Sequence, residues 1–250
     1  MERFSQEKDA ERLHWDKVAK ERIYAAFDKQ EYLDIFNAAF DKDLTGKRIV
    51  DIGCASGVSA ALFAARGANV VGIDISPELI AQAKALWTEY ADRLDFTVGD
   101  AEAMDEADGG VDACFFGGVL HHFPDRTRVY REALRVLKPG GLLVAVEPNR
   151  LDVFERIEWA VADLRGKLSP NEYPIDPFAM RRETLEAGFA EASFRTMRHD
   201  IPVLAQCPVL KRFFNRQKGF GVKRPLLRFC NAFRAPENRG TFFVMKAVKA

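Results

Sequence analysis

The sequence predicts an α/β fold, a doubly wound, seven-stranded, mainly parallel sheet with helices on both faces. Three observations predict it. Short β-rich runs alternate with helical stretches of about ten to fifteen residues, the pattern of βαβ units. Several of the runs end in small or acidic residues where the chain must turn, as in DIGCASG, GIDIS and GDAEAM. Finally, 250 residues with 48% hydrophobic and 30% charged content suit one large globular domain.

The elements follow in order. Residues 1–45 read as helical, because Leu13, Val18, Ile23, Phe27, Leu33, Phe36 and Phe40 recur at helical spacing between charges. They are expected to form a cap. A core region, 46–150, opens with a strand over 48–52, followed by DIGCASG and a helix that stops near Gly67. A second strand, 69–73, ends at Asp74. Ser76 as N-cap, Pro77 at the first helical position and Glu78 in the first turn then start a helix expected to reach Tyr90. Strands over 94–98 and 111–116 come next, with Asp112 marking the start of the second of these. A helix over 125–137 is stopped by Lys138-Pro139-Gly140-Gly141, and a fifth strand spans 142–146. Region 151–198 supplies two helices, near 151–165 and 178–187, and a strand over 192–197; a last strand falls within 240–250.

Charge divides the functional classes. Thirty-seven Lys and Arg balance thirty-seven Asp and Glu, which excludes a globally basic nucleic-acid binder. The balance is uneven along the chain. Between Ile201 and Pro236 there are eight cations and no acid, leaving −8 on the remainder, and five phenylalanines accompany those cations. Residues 199–239 therefore read as a basic aromatic insertion. Its stretch 209–234 is a candidate for peripheral contact with an anionic membrane or a lipid-linked substrate. The competing reading packs it against its own domain. No nucleic-acid-binding module accompanies it. The N-terminus lacks the apolar core of a signal peptide, and no stretch has the ~18 to 20 apolar residues of a membrane span. The expected location is cytoplasmic, with membrane association through the insertion as an option. Cys54, Cys114, Cys207 and Cys230 show no metal-type spacing, so no metal is expected.

The chemistry is expected at the strand ends. Small residues at 53, 55 and 57 allow a sharp turn and close approach of a ligand. The next strand ends in Asp74, placed to accept hydrogen bonds from a ribose. A dinucleotide fingerprint needs a small residue at 58, and this chain has Val58. Asp51 before the loop suits a ligand with a cationic amino group better than a pyrophosphate.

On these motifs the sequence resembles class I S-adenosylmethionine-dependent methyltransferases, the broad group acting on small molecules and lipids. The likeness covers about residues 45–150: VDIGCASG, GIDIS, GDAEAM, VDACFFGGVLHHFPD and LRVLKPGGLLVAVEPN stand in the family's order. Ala55 departs from the family's commoner middle glycine. The resemblance implies a Rossmann-like sheet whose last strand is antiparallel, with S-adenosyl-L-methionine as cofactor. It carries the cofactor onto Asp51, Gly53, Cys54, Ala55, Gly57, Asp74, Ile75, Asp100, Ala101 and Gly117. Among these, Asp74 would hold the ribose, Asp100 and the Ala101 N–H the adenine, and the Gly117 carbonyl the methionine ammonium.

It also places His121 and His122 at the rim where the methyl group would lie. His121 is the candidate general base, with His122 and Glu147 as further candidates, against a purely structural Leu-His-His-Phe turn. The expected partner is a small-molecule or lipid-linked methyl acceptor. Two alternatives stay open, an NAD-dependent oxidoreductase and a non-catalytic cofactor-binding partner protein of the same fold.

Overall fold

A computed structural model describes residues 2–25, 29–169, 171–197 and 240–250. The basic aromatic stretch expected over 199–239, with Cys207 and Cys230, lies outside the described residues.

Seven strands form one sheet in the order β3-β2-β1-β4-β5-β7-β6. The first five are β1 (Arg48–Ile52), β2 (Asn69–Asp74), β3 (Leu94–Val98), β4 (Val111–Gly117) and β5 (Leu137–Pro148). They pair in parallel. β6 (Phe189–Met197) and β7 (Phe242–Lys249) complete the sheet, and β7 runs antiparallel between β5 and β6. The chain turns from one side of the sheet to the other between β1 and β4. In open α/β sheets a crevice forms outside the carboxyl ends of the strands at such a point.

Alternation along the central strands supplies two cores. On one face Phe36 of α2 (Lys29–Ala39) stacks on Phe63 of α3 (Val58–Ala64), with ring centroids 4.0 Å apart, and Phe115 of β4 meets both edge-on. Ile80 and Ala83 of α4 (Pro77–Leu86) join that cluster. On the other face Cys114 and Phe116 pack with Val129, Tyr130 and Ala133 of α5 (Thr127–Val136) and Met180 of α7 (Pro177–Ala187). Helix α6 (Val153–Leu164) follows β5 and is capped by the Asp152 carboxylate.

Several boundaries differ from expectation. The proposed cap over 1–45 divides: α1 (Glu2–Glu21) lies over the strand ends, whereas α2 buries Ile35 and Phe36 completely in the sheet core. Helix α4 stops at Leu86, and Trp87 turns inward to donate from Nε1 to the Ser56 carbonyl at 2.7 Å. The Lys138–Gly141 turn falls inside β5, beside a register shift against β4, because Leu137 already pairs with Val111. Asp112 is structural: it accepts from the Arg48 N–H and from Lys138 Nζ at 2.9 and 2.7 Å.

Candidate active site

A cavity opens at the carboxyl ends of β1 to β4. Gly53 and Ala55 contribute the first turn, Asp74 and Ile75 the end of β2, Asp100 and Ala101 the loop after β3, and Gly117 the end of β4. The first turn is tight. Gly53 has φ +67°, and a Cβ there would meet a Val119 methyl carbon at 2.3 Å. Ala55 holds φ +49°, a left-handed conformation that costs a non-glycine residue on the order of 1 kcal/mol. That strained turn directs the Ala55 N–H onto Asp74 Oδ2 at 3.0 Å, while the Ser76 N–H reaches Oδ1 at 2.9 Å. Burial lifts the Asp74 carboxyl to about 6, and these backbone donors hold the shift back. Hydroxyl donors from a ligand would restore the charged form.

Helix α1 forms the roof. Lys8 Nζ meets Asp100 at 2.6 Å and Glu102 at 2.5 Å, and Asp16 accepts from Ser76 Oγ at 2.5 Å. Past the helix, the Tyr24 carbonyl accepts from both the backbone N–H and the hydroxyl of Ser56. Trp15, Tyr24, Tyr32 and Phe123 add aromatic walls to the cavity.

Three residues expected to hold the cofactor stand behind this wall. Asp51 is 1% exposed, and its carboxylate accepts from Ser59 Oγ at 2.6 Å, so it anchors the start of α3. Burial raises it to about 7, against the Ser59 and Ala60 hydrogen bonds. Cys54 is buried in the core, and Gly57 is the left-handed residue that begins α3. A Cβ on Gly57 would strike Phe96 at 2.5 Å, so its requirement is packing. Asp51, Cys54 and Gly57 thus stand behind the cavity lining, where they support the loop.

Residues 50–145, which carry β1 through β5 and hence this whole cavity floor, match the family model described as "Methyltransferase domain". By that match residues 50–145 are similar to a methyltransferase domain. A ubiquinone biosynthesis O-methyltransferase of Xanthomonas oryzae pv. oryzae is 38% identical over 129 residues, covering 51% of this chain and 54% of that one. A 2-methyl-6-phytyl-1,4-hydroquinone methyltransferase of Synechocystis sp. is 34% identical over 167 residues, 64% of this chain and 51% of that one. The chain thus spans about half the length of these curated relatives. Among solved structures, a Haemonchus contortus phosphoethanolamine N-methyltransferase 2 superposes with TM-score 0.62 at 20% identity, over 88% of this chain and 52% of that one.

At the other end of the cavity the two histidines part company. His121 is 6% exposed and does not line the cavity. Its Nδ1 lies 2.8 Å from Glu147 Oε2, and its Nε2 lies 3.8 Å from Glu172 Oε1. Glu147, fully buried, also accepts the backbone N–H groups of Val119 and Leu120, at 3.1 and 2.8 Å, and of His121, at 3.3 Å. Burial disfavours charge on His121, but the two carboxylates outweigh it and lift the imidazole to about 9. Both ring nitrogens are thus turned to carboxylates, Nδ1 to Glu147 and Nε2 to Glu172. His121, the residue expected as general base, thus stands behind the cavity lining.

His122 does line the cavity, 4.2 Å from His121 between ring centroids and edge-on to Trp15 at 5.5 Å. One ligating atom each of His121, His122 and Glu172 falls within 4.8 Å, a grouping that the chain's spacing does not reveal. Sequence reasoning also missed Lys8, Glu11, Ser169 and Glu172. They belong to no motif, and only folding brings α1 and the loop after α6 to the rim.

Proposed function

We propose that the protein transfers a methyl group from S-adenosylmethionine to a small hydroxylated acceptor. One observation carries this reading: a single cavity joins the Asp74–Asp100 end, suited to a nucleoside, to an aromatic-walled end beside Gly117 and His122. S-adenosylmethionine, when bound, supplies an electrophilic methyl group on a sulfonium. Asp74 would accept the ribose hydroxyls, Asp100 the adenine amino group, and the Gly117 carbonyl the ammonium. Ile75 and Ala101 would flank the adenine. Positioning of the two reactants supplies much of the rate in such a transfer.

Support for a ring acceptor of the quinone type comes from the relatives, one named for ubiquinone biosynthesis and one for 2-methyl-6-phytyl-1,4-hydroquinone. Trp15, Tyr24 and Phe123 offer flat apolar faces to a ring of that kind. A lipid-linked acceptor would bring the basic stretch 209–234 into play as a membrane contact. Equal recovery of the protein with anionic and neutral liposomes at low salt would remove that extension.

Calorimetry with S-adenosylhomocysteine tests the core claim, and an absence of binding at ~100 μM would sink it. The acceptor is sought by supplying labelled cofactor to cell extracts and isolating the methylated product. Val58 and the match over 50–145 leave the oxidoreductase alternative unsupported.

A further inference from the structure

We infer that His122 Nε2 is the general base of this site, and that Glu11, delivered by the N-terminal helix through Ser169, is the residue that sets it up. The inference rests on the methyl-transfer reading and deepens it.

Ser169 has a single hydroxyl hydrogen, and its Oγ lies 2.9 Å from Glu11 Oε1 and 3.0 Å from His122 Nδ1. An ionised Glu11 can only accept, so the hydroxyl hydrogen goes to Glu11. Ser169 Oγ must then accept from His122, which places the ring's proton on Nδ1. Nε2 is left with its lone pair, on a residue that lines the cavity, and no described residue hydrogen-bonds it. Glu11 is 8% exposed; Oε1 also accepts the Asn171 N–H at 3.3 Å. Glu11 Oε2 takes no hydrogen bond and stands 3.5 Å from His122 Nδ1. A buried carboxylate oxygen without a donor, beside a neutral imidazole, is placed to stabilise the imidazolium that proton abstraction creates.

The neighbours fix the charge states. Burial, and then the charged His121 beside it, hold His122 below the ordinary histidine range, against the pull of Glu11 and Glu172. Burial acts against ionising Glu11, but the attraction of the His122 ring and the hydrogen bonds from Ser169 and Asn171 prevail and hold it below the usual carboxylate range. Two adjacent imidazoles pushed in opposite directions are a recurrent sign of divided roles. His121 keeps its proton and ties β4 to β5, while His122 exchanges one.

In the reaction the acceptor's O–H proton passes to Nε2. The oxygen lone pair then bonds to the methyl carbon as the carbon–sulfur bond breaks, leaving a neutral thioether, and the imidazolium returns its proton to water. Helix α1 thereby does more than cover a ligand. Without it Glu11 is absent, and the base is incomplete.

Nitrogen-15 NMR of the histidine rings in the full-length protein tests the proton placement without any acceptor. His122 should show an unprotonated Nε2 at pH 7. Glu11→Gln should lower the ring's apparent pKa further, since the carboxylate that favours the imidazolium is gone. A protonated Nε2, or a pKa unmoved by Glu11→Gln, would overturn the inference. For the chemistry, substituted phenols of decreasing pKa serve as probes. His122→Gln should cost on the order of 10²- to 10⁴-fold in kcat/KM with weakly acidic phenols, and the loss should shrink with phenols already ionised at the assay pH. Glu11→Gln should follow the same trend with a smaller loss. A loss independent of phenol pKa would mean a merely structural role. S-adenosylhomocysteine binding is measured on each variant: absence of binding by the parent protein would defeat the methyl-transfer reading itself, whereas intact binding with a flat phenol series would defeat only the base.

Discussion

The two ends of the cavity are built in different ways. At the end below β1 to β3, Gly53, Ala55, Asp74, Ile75, Asp100 and Ala101 come from three successive strand ends, each within a few residues of its neighbour in the same loop. At the other end, Glu11, His121, His122, Glu147, Ser169 and Glu172 converge from four separate places, with partners up to 158 residues apart. The first end depends on backbone shape and the second on charge. Substitutions at the strand-end loops should therefore alter ligand affinity, while substitutions in the charge cluster should alter stability and pH response.

The largest effect expected from that contrast is at Glu147. Replacing it with alanine strands an imidazolium and backbone N–H groups in a site with no solvent exposure. Removing one member of a buried pair costs about 3–5 kcal/mol. Thermal or urea denaturation should show a loss of that size, and a loss under ~1 kcal/mol would mean that His121 is neutral and the cluster is not held by charge.

Asp74→Ala comes next and acts at the opposite end. Losing hydrogen bonds to a charged acceptor costs about 1.5–3 kcal/mol, or roughly 10- to 150-fold in S-adenosylhomocysteine affinity. The same carboxyl gives a pH test. Its value in the free protein is raised to about 6, so affinity should decline as pH falls through that region and the acceptor form is lost. Binding unchanged between pH 7.5 and 5 would contradict the assignment of Asp74 to the ribose.

The charge cluster makes a stability prediction with the opposite sense. His121 is raised to about 9 in the folded protein from an ordinary value of 6.5. The folded state therefore holds the extra proton, and the stabilisation is fully present below about pH 6.5 and lost as pH rises through 9. The melting temperature should drop across that window, and His121→Asn should flatten this part of the profile. A profile that keeps its slope in the variant would assign the effect elsewhere.

The smallest expected effect concerns the strained turn. Ala55→Gly relieves a left-handed alanine but loosens the unfolded chain, so the change in stability should stay within about 1 kcal/mol. The Ala55 N–H should keep its place on Asp74, and ligand affinity should change little. A large loss of affinity would show that the methyl group of Ala55 itself touches the ligand.

Legibility in the sequence follows the same division. The strands and the strand-end turns that line the cavity were readable, because alternation and strand-end turns are local consequences of the chain. Three residues inside the same motif stand behind the cavity lining for a physical reason. Asp51, Cys54 and Gly57 are as prominent in the sequence as Gly53 and Asp74, but the pleat and the turn send them into the core. The helix boundary after Ser76 also moved, since Trp87 was free to leave the helix only because Ser56 offers it an acceptor.

The sequence by itself determined a doubly wound sheet with a ligand crevice at its strand ends, and a chain whose charge is polarised between the domain and a basic stretch. Tertiary structure alone decided which of two adjacent histidines meets the cavity and in which direction each one's proton affinity moves. Consecutive residues on a turn have the same sequence context. Only long-range partners distinguish them: Glu147 and Glu172 around His121, and Ser169 and Glu11 beside His122. A proton's affinity depends on burial and on charges within a few ångströms, and those distances do not exist until the chain has folded.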